Sequence, residues 1–155
     1  MTFYLVALGV LLLDQATKAA IIRTLPLGQA IPIIPGYFDI VFVLNPGAAF
    51  GFLATFPASL RSPFFILISI AAALLIVIYR TRYLKDQWLP GQALALVLGG
   101  ALGNLIDRLH YGMVVDFLDV HWQQYHWPAF NVADSAISVG VGLMLLEMLL
   151  EWRKT

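Results

Sequence analysis

The sequence contains no cysteine. That absence excludes a disulfide framework, a thiol nucleophile and a thiolate metal site, and the chain cannot itself carry a lipid on cysteine. Charge is scarce too: Asp, Glu, Lys and Arg make up 12% of 155 residues, nine of each sign, for zero net charge. A soluble domain carries about 25% charged residues. Without a basic excess there is no electrostatic footprint for a nucleic acid. Internal repeats and low-complexity tracts are also missing. What fills the chain instead is apolar: 61% of residues are hydrophobic, and mean hydropathy is +0.85. A chain of 17.1 kDa cannot hide that much apolar surface from water. Composition thus excludes a soluble enzyme and a disordered chain, and specifies an integral membrane protein.

A spanning helix needs about 20 mainly apolar residues. Four segments qualify, at about 3–22, 63–79, 89–106 and 135–150. The expected fold is an all-α membrane protein, one domain over 1–155, of four transmembrane helices with a small β-structured extracytoplasmic cap. The first segment mimics a signal-peptide core, but no Lys or Arg precedes it and no small-x-small cleavage site follows, so it reads as a retained helix. Arg80, Arg82 and Lys85 in the short loop 80–88, with Arg153 and Lys154 at the far end, mark a cytoplasmic side. Both termini then face the cytoplasm, and the long segments 23–62 and 107–134 lie outside. Residues 37–43 are β-branched and aromatic between Pro35-Gly36 and Asn45-Pro46-Gly47, which reads as a strand. Tyr111, Trp122, Tyr125, Trp127 and Phe130 lie close together in the second outer segment, as suits a membrane–water interface.

Intramembrane charges cost energy and call for an explanation. Asp14 and Lys18 are spaced i,i+4 on the first helix, where they either pair with each other or act chemically; a mutual ion pair is the expectation. In the third helix, Ala95, Gly99 and Gly103 form a small-residue stripe for close helix packing. Asn104 and Arg108 share a neighbouring face, to orient a polar substrate or to anchor the helix end. Asp116 lies between valine and phenylalanine, a poor setting for a solvated acid, although a surface turn residue is the plain alternative. Asp134 opens the fourth helix and could be its N-cap. Asp119 reads as a solvated interface residue. If Asp116 and Asp134 meet, two close carboxylates cannot both ionise. One could then take a proton from water while the other polarises a carbonyl. The helix dipole would favour Asp134 as the ionised member.

Rival chemistry is weaker. Ser59 and Ser62 could pair with Lys18, but no motif surrounds them. His110, His121 and His126 have no metal-ligand spacing, and no metal is expected. From another functional class come a small transporter or proton-conducting helix bundle, with Asp14, Glu147, Asp116 and Asp134 as relay groups, and a non-enzymatic binding scaffold.

Five motifs occur in order: Leu13-Asp14-Gln15-Ala16-Thr17-Lys18; Asn45-Pro46-Gly47-Ala48-Ala49-Phe50-Gly51; Gly99 through Arg108; Val114-Val115-Asp116-Phe117; and Phe130-Asn131-Val132-Ala133-Asp134. Together they resemble bacterial lipoprotein signal peptidase, signal peptidase II, along essentially the whole chain. The resemblance implies an intramembrane aspartic endopeptidase of the bacterial plasma (inner) membrane, with no metal or cofactor and its active site at the outer leaflet. It would remove the signal peptide from diacylglyceryl-modified prolipoproteins, cutting just before the lipidated cysteine. The catalytic pair corresponds to Asp116 and Asp134. Asp14, Lys18, Asn45, Gly47, Asn104, Arg108 and Asn131 would bind substrate or support the site, with Asn45 and Arg108 near the scissile bond and the Asn45–Gly51 stretch as a wall or lid. Expected partners are lipidated prolipoproteins, membrane lipid and cyclic peptide inhibitors such as globomycin; nucleic acid is not among them, and a monomer is expected.

Overall fold

A computed structural model describes residues 1–47, 57–85 and 87–152. Among these residues four helices form: α1 (Thr2–Thr24), α2 (Ala58–Tyr83), α3 (Trp88–Tyr111) and α4 (Val132–Trp152). All four are long and apolar enough to cross a membrane. They run past the apolar segments on which the sequence reading centred, because helical hydrogen bonding continues into polar flanks that hydropathy alone does not count. The connection placed at 80–88 is correspondingly shorter, since α2 continues to Tyr83 and α3 begins at Trp88. Asp107, assigned from sequence to the second outer segment, belongs to α3 and is buried.

α3 is the central helix and packs against the other three. Of its most apolar stretch 61% is buried, against none of the corresponding stretch of α2. Small residues allow this. A Cβ on Gly99 would lie 2.6 Å from the Ala7 carbonyl oxygen of α1, so only glycine permits that approach. Phe3, Ala7, Leu94, Ala95 and Leu98 form the apolar core of the contact, with Leu84 from the α2–α3 turn.

At the end of the bundle opposite that turn sits a four-stranded antiparallel sheet in the order β1-β2-β3-β4. Its strands are β1 (Ala30–Ile34), β2 (Phe38–Asn45), β3 (Val114–Trp122) and β4 (Tyr125–His126). The strand expected over 37–43 is β2, joined by partners on both sides. Leu25, Phe42 and Val115 bury the sheet against the end of α1. The Asn45–Gly51 stretch, expected as a wall or lid, is described only through Gly47; the remainder, like Asp86, Arg153 and Lys154, lies outside the described residues.

Candidate active site

Lys18 anchors the polar centre. Its Nζ lies 2.9 Å from Asp14 Oδ2 and 2.8 Å from Asp107 Oδ2, and all three side chains are buried. The pair expected within α1 is therefore a three-way knot that ties α1 to α3. Gln15 closes it, its amide Nε2 donating to Asp107 Oδ1 at 3.0 Å and to Asp14 Oδ2 at 3.2 Å. Each buried charge thus has both an opposite charge and hydrogen bonds, the condition under which burial is tolerated. Gly103 makes room, since a Cβ there would lie 2.5 Å from Asp14 Oδ2.

The knot reaches outward in two directions. Asp107 Oδ2 accepts the Val115 backbone N–H at 3.0 Å, fixing the start of β3 on α3. Asp14 Oδ1 accepts the Ala133 N–H at 2.9 Å, in the first turn of α4. Asn131 Oδ1 accepts the next one, from Asp134 N at 2.9 Å. Asn131 is thus the side-chain cap of α4 and Asp134 sits three residues further on, which corrects the reading of Asp134 as the N-cap. Helices α1, α2 and α3 have no side-chain cap. The capped first turn of α4 is the one that carries Asp134.

Asp116 lies on β3, not in a surface turn, and is almost fully buried. Phe130 pairs with Leu118 in both directions, at 2.8 and 3.0 Å, which brings Asn131 beside Asp116. Asn131 Nδ2 donates to Asp116 Oδ1 at 2.7 Å, and Asn45 Nδ2 donates to Asp116 Oδ2 at 2.9 Å. On the other side, Asn104 Nδ2 donates to Asp134 Oδ1 at 2.7 Å, while Asn104 Oδ1 accepts from Lys18 Nζ at 3.0 Å and from Asn131 Nδ2 at 3.2 Å. Three asparagines thus link the Lys18 knot to two carboxylates. Burial first, and then the charge of Asp134, push the Asp116 carboxyl up to about 7, against the pull of Asn45, Asn131 and Lys18. Near neutral pH the two acids therefore hold one proton between them.

A cavity of about 590 Å³ opens over Asp134, Asn45, Asn104 and Arg108. Val114, Trp127, Pro128, Phe130, Ile137 and Val139 give it an apolar wall. Arg108 stacks over the Phe65 ring at 5.1 Å from its centroid and turns Nη2 toward the Gly47 carbonyl, 3.5 Å away. Gly47 in turn donates its N–H to Asn45 Oδ1 at 3.0 Å.

All nine residues named from sequence gather here: Asp14, Lys18, Asn45, Gly47, Asn104, Arg108, Asp116, Asn131 and Asp134. The serine alternative does not, since Lys18 already directs its donors at Asp14, Asp107 and Asn104. Asp119, read as merely solvated, pairs with His126 Nδ1 at 2.8 Å. Among the described residues no group of three or more His, Asp or Glu side chains is arranged to hold a metal ion. Sequence reasoning missed Asp107 and Gln15, although both lie inside motifs already noted, and it missed the pocket wall at 127–130.

Over residues 6–150 the sequence matches the family profile described as Signal peptidase (SPase) II. A lipoprotein signal peptidase of Geobacter sulfurreducens is 56% identical over 152 residues, covering 98% of this chain and 94% of the relative. One from Syntrophotalea carbinolica is 54% identical over 149 residues, covering 96% and 89% respectively. A solved structure described as "Bacterial membrane enzyme structure by the in meso method at 2.3 A resolution" superposes with a TM-score of 0.87 at 34% identity, covering 99% of this chain and 91% of that one. With four helices able to span a bilayer and neighbours that are membrane enzymes, the protein is a multi-pass membrane protein. The chain belongs to the signal peptidase II family.

Proposed function

We propose that Asp116 and Asp134 are the catalytic dyad of this peptidase. On this reading it cuts diacylglyceryl-modified prolipoproteins just before the lipidated cysteine, at the outer leaflet of the bacterial plasma membrane. The family is one of lipoprotein signal peptidases, which cleave signal peptides from prolipoproteins, so the transporter and scaffold readings are set aside. The observation that carries the residue-level reading is the meeting of two acids, the buried Asp116 of β3 and the half-buried Asp134 of α4, beside an apolar-walled cavity.

The chemistry follows from one shared proton. The ionised acid removes a proton from water as its oxygen attacks the scissile carbonyl carbon, while the protonated acid gives its proton to the carbonyl oxygen. The first acid then passes the captured proton to the leaving nitrogen. As the C–N bond breaks, a hydroxyl of the tetrahedral intermediate returns its proton to the second acid, restoring the pair. Asn45, Gly47 and Arg108 line the approach and are the proposed contacts to the substrate backbone. Asp14, Lys18, Asn104 and Asn131 hold the acids in place.

Exposed Tyr37, Trp122, Tyr125 and Trp127 cluster at the sheet end, while Tyr83, Trp88 and Trp152 lie at the other, as two interfacial belts would require. Arg80, Arg82 and Lys85 near the second belt support a cytoplasmic assignment for that end, with both termini there and the sheet outside. A monomer inhibited by cyclic peptides such as globomycin completes the proposal. The test is cleavage of a purified diacylglyceryl-modified prolipoprotein by wild type, Asp116→Asn and Asp134→Asn. Cleavage before the lipidated cysteine by wild type alone is expected; a folded Asn variant that still cuts would overturn the dyad.

A further inference from the structure

We propose that Phe65 is a positioning residue: its ring holds the Arg108 guanidinium beside the cavity and apart from the two acids, so that the guanidinium can meet the substrate backbone. The inference rests on the reading that Asp116 and Asp134 are the catalytic pair and Arg108 a substrate contact.

Helix α2 gives the first reason. Among its described residues Phe65 alone is buried, while Phe64, Leu67 and Ile68 beside it stand exposed. Lipid tails are as apolar as a protein interior, so a phenylalanine on a membrane helix gains little from burial as such. What distinguishes this one is the Arg108 guanidinium, 5.1 Å from its ring centroid and within cation–π range.

The other contacts of Arg108 are weak. Nη1 donates to the Asn104 carbonyl at 3.3 Å and Nη2 to the Gly47 carbonyl at 3.5 Å, both at the long end of hydrogen bonding. A guanidinium is better matched to a carboxylate, which it can grip with two parallel N–H groups. Three carboxylates act on Arg108 through space: Asp134, Asp116 and Asp107. Among the described residues it forms an ion pair with none of them. Asp107 pairs with Lys18, and amides hold Asp116 and Asp134. The charged groups of the site are Asp14 and Lys18 on α1, Asp107 on α3 itself, Asp116 on β3 and Asp134 on α4. Helix α2 brings no acid, only arginines, of which Arg61 lies four positions before Phe65. No opposite charge on α2 therefore draws Arg108 away from the acids. The ring does so, through the negative charge of its π face.

That separation matters to the reaction. Paired with either acid, the arginine would favour the charged carboxylate and expel the shared proton. It would also block the approach of the scissile carbonyl. Stacked on Phe65, it keeps N–H groups for a substrate carbonyl and leaves the acids their proton.

The test uses the purified full-length protein with fluorinated phenylalanines at position 65, which thin the negative charge of the ring face and nearly keep its shape. From one fluorine to five, kcat/KM for prolipoprotein cleavage should fall stepwise to about one-tenth. The alkaline limb of kcat should move to lower pH over the same series, with the melting temperature unchanged. A flat series overturns the proposal, and so does a loss with the limb unmoved, which would mark plain packing. Should the fluorinated chains fail to fold, Phe65→Tyr and Phe65→Leu decide. The tyrosine, which keeps the ring, must exceed the leucine in kcat/KM; any other order overturns the proposal. In an Arg108→Gln background, Phe65→Leu should cost nothing further, and an added loss beyond about twofold overturns the link to Arg108. Arg108→Gln also separates the two readings. If it cleaves like wild type, the reading of Arg108 as a substrate contact fails; a flat fluorine series beside an impaired Arg108→Gln sinks only the role of Phe65.

Discussion

Two clusters of acids lie side by side and differ in one respect. In the knot, Asp14 and Asp107 flank the cation Lys18, and nearly every oxygen has a donor. In the dyad, Asp116 and Asp134 face each other with only neutral amides between them and the cation. The first arrangement satisfies its charges and acts as structure. Lys18 and Arg108 act on the second only through space, with no hydrogen bond to either acid among the described residues, so burial leaves it holding a proton. Satisfied and unsatisfied electrostatics thus divide support from chemistry within one polar centre.

The comparison can be broken at either cluster. The largest effect is expected in the dyad: Asp116→Asn or Asp134→Asn should cost at least about 10²–10⁴ in kcat, by the usual size of acid–base catalysis, with the fold intact. Single-turnover cleavage and a thermal melt on the same sample check both halves. In the knot the sign is opposite. Lys18→Met leaves two buried carboxylates facing each other and should destabilise by about 3–5 kcal/mol, read by denaturation in detergent. Next, Gly103→Ala pushes a methyl against Asp14 and should cost about 1–3 kcal/mol in the same assay.

Titration sharpens the contrast. Asp116 goes from an ordinary 3.8 to about 7 in the folded protein, so between those values the folded state binds the extra proton and stability falls as pH rises. Asp116→Asn should flatten that slope. Activity of wild type should fall as pH rises past about 7, when the shared proton is lost. The smallest effect is at the sheet. The Gln123 carbonyl, and after it Asp39, hold His121 above its ordinary 6.5. Its contribution is therefore present below 6.5 and is lost as pH rises through the higher folded value. The pH dependence of the melting temperature in His121→Gln, set against wild type, reads it.

The helices were legible in the sequence because they rest on a local signal, long apolar runs, and the polar residues that gather at the site stood out because their cost in lipid demands a reason. The i,i+4 spacing of Asp14 and Lys18 was equally local, yet it gave half the knot. Asp107 completes the knot from 92 positions after Gln15, a separation that no spacing rule on α1 registers. Asp134 looked like a cap because acids commonly cap helices. Asn131, three residues earlier, was the better candidate once the helix start is set at Val132. The pocket wall at 127–130 was hidden for another reason: its aromatics satisfied an interfacial reading that asked nothing more of them. Strand pairing, which delivers Asn131 to Asp116 through Phe130 and Leu118, exists only in three dimensions.

One bond carries a consequence for the making of the protein. The first turn of α4 is secured by Asp14, 119 positions earlier in the chain. Asp116 and its asparagine from β2 are synthesised before that turn exists, and Asp134 and Asn131 emerge only with it. A ribosome-bound chain that has not yet released α4 therefore holds a single acid of the pair and two of the three asparagines. The proposed dyad is complete only once the last helix docks against the first.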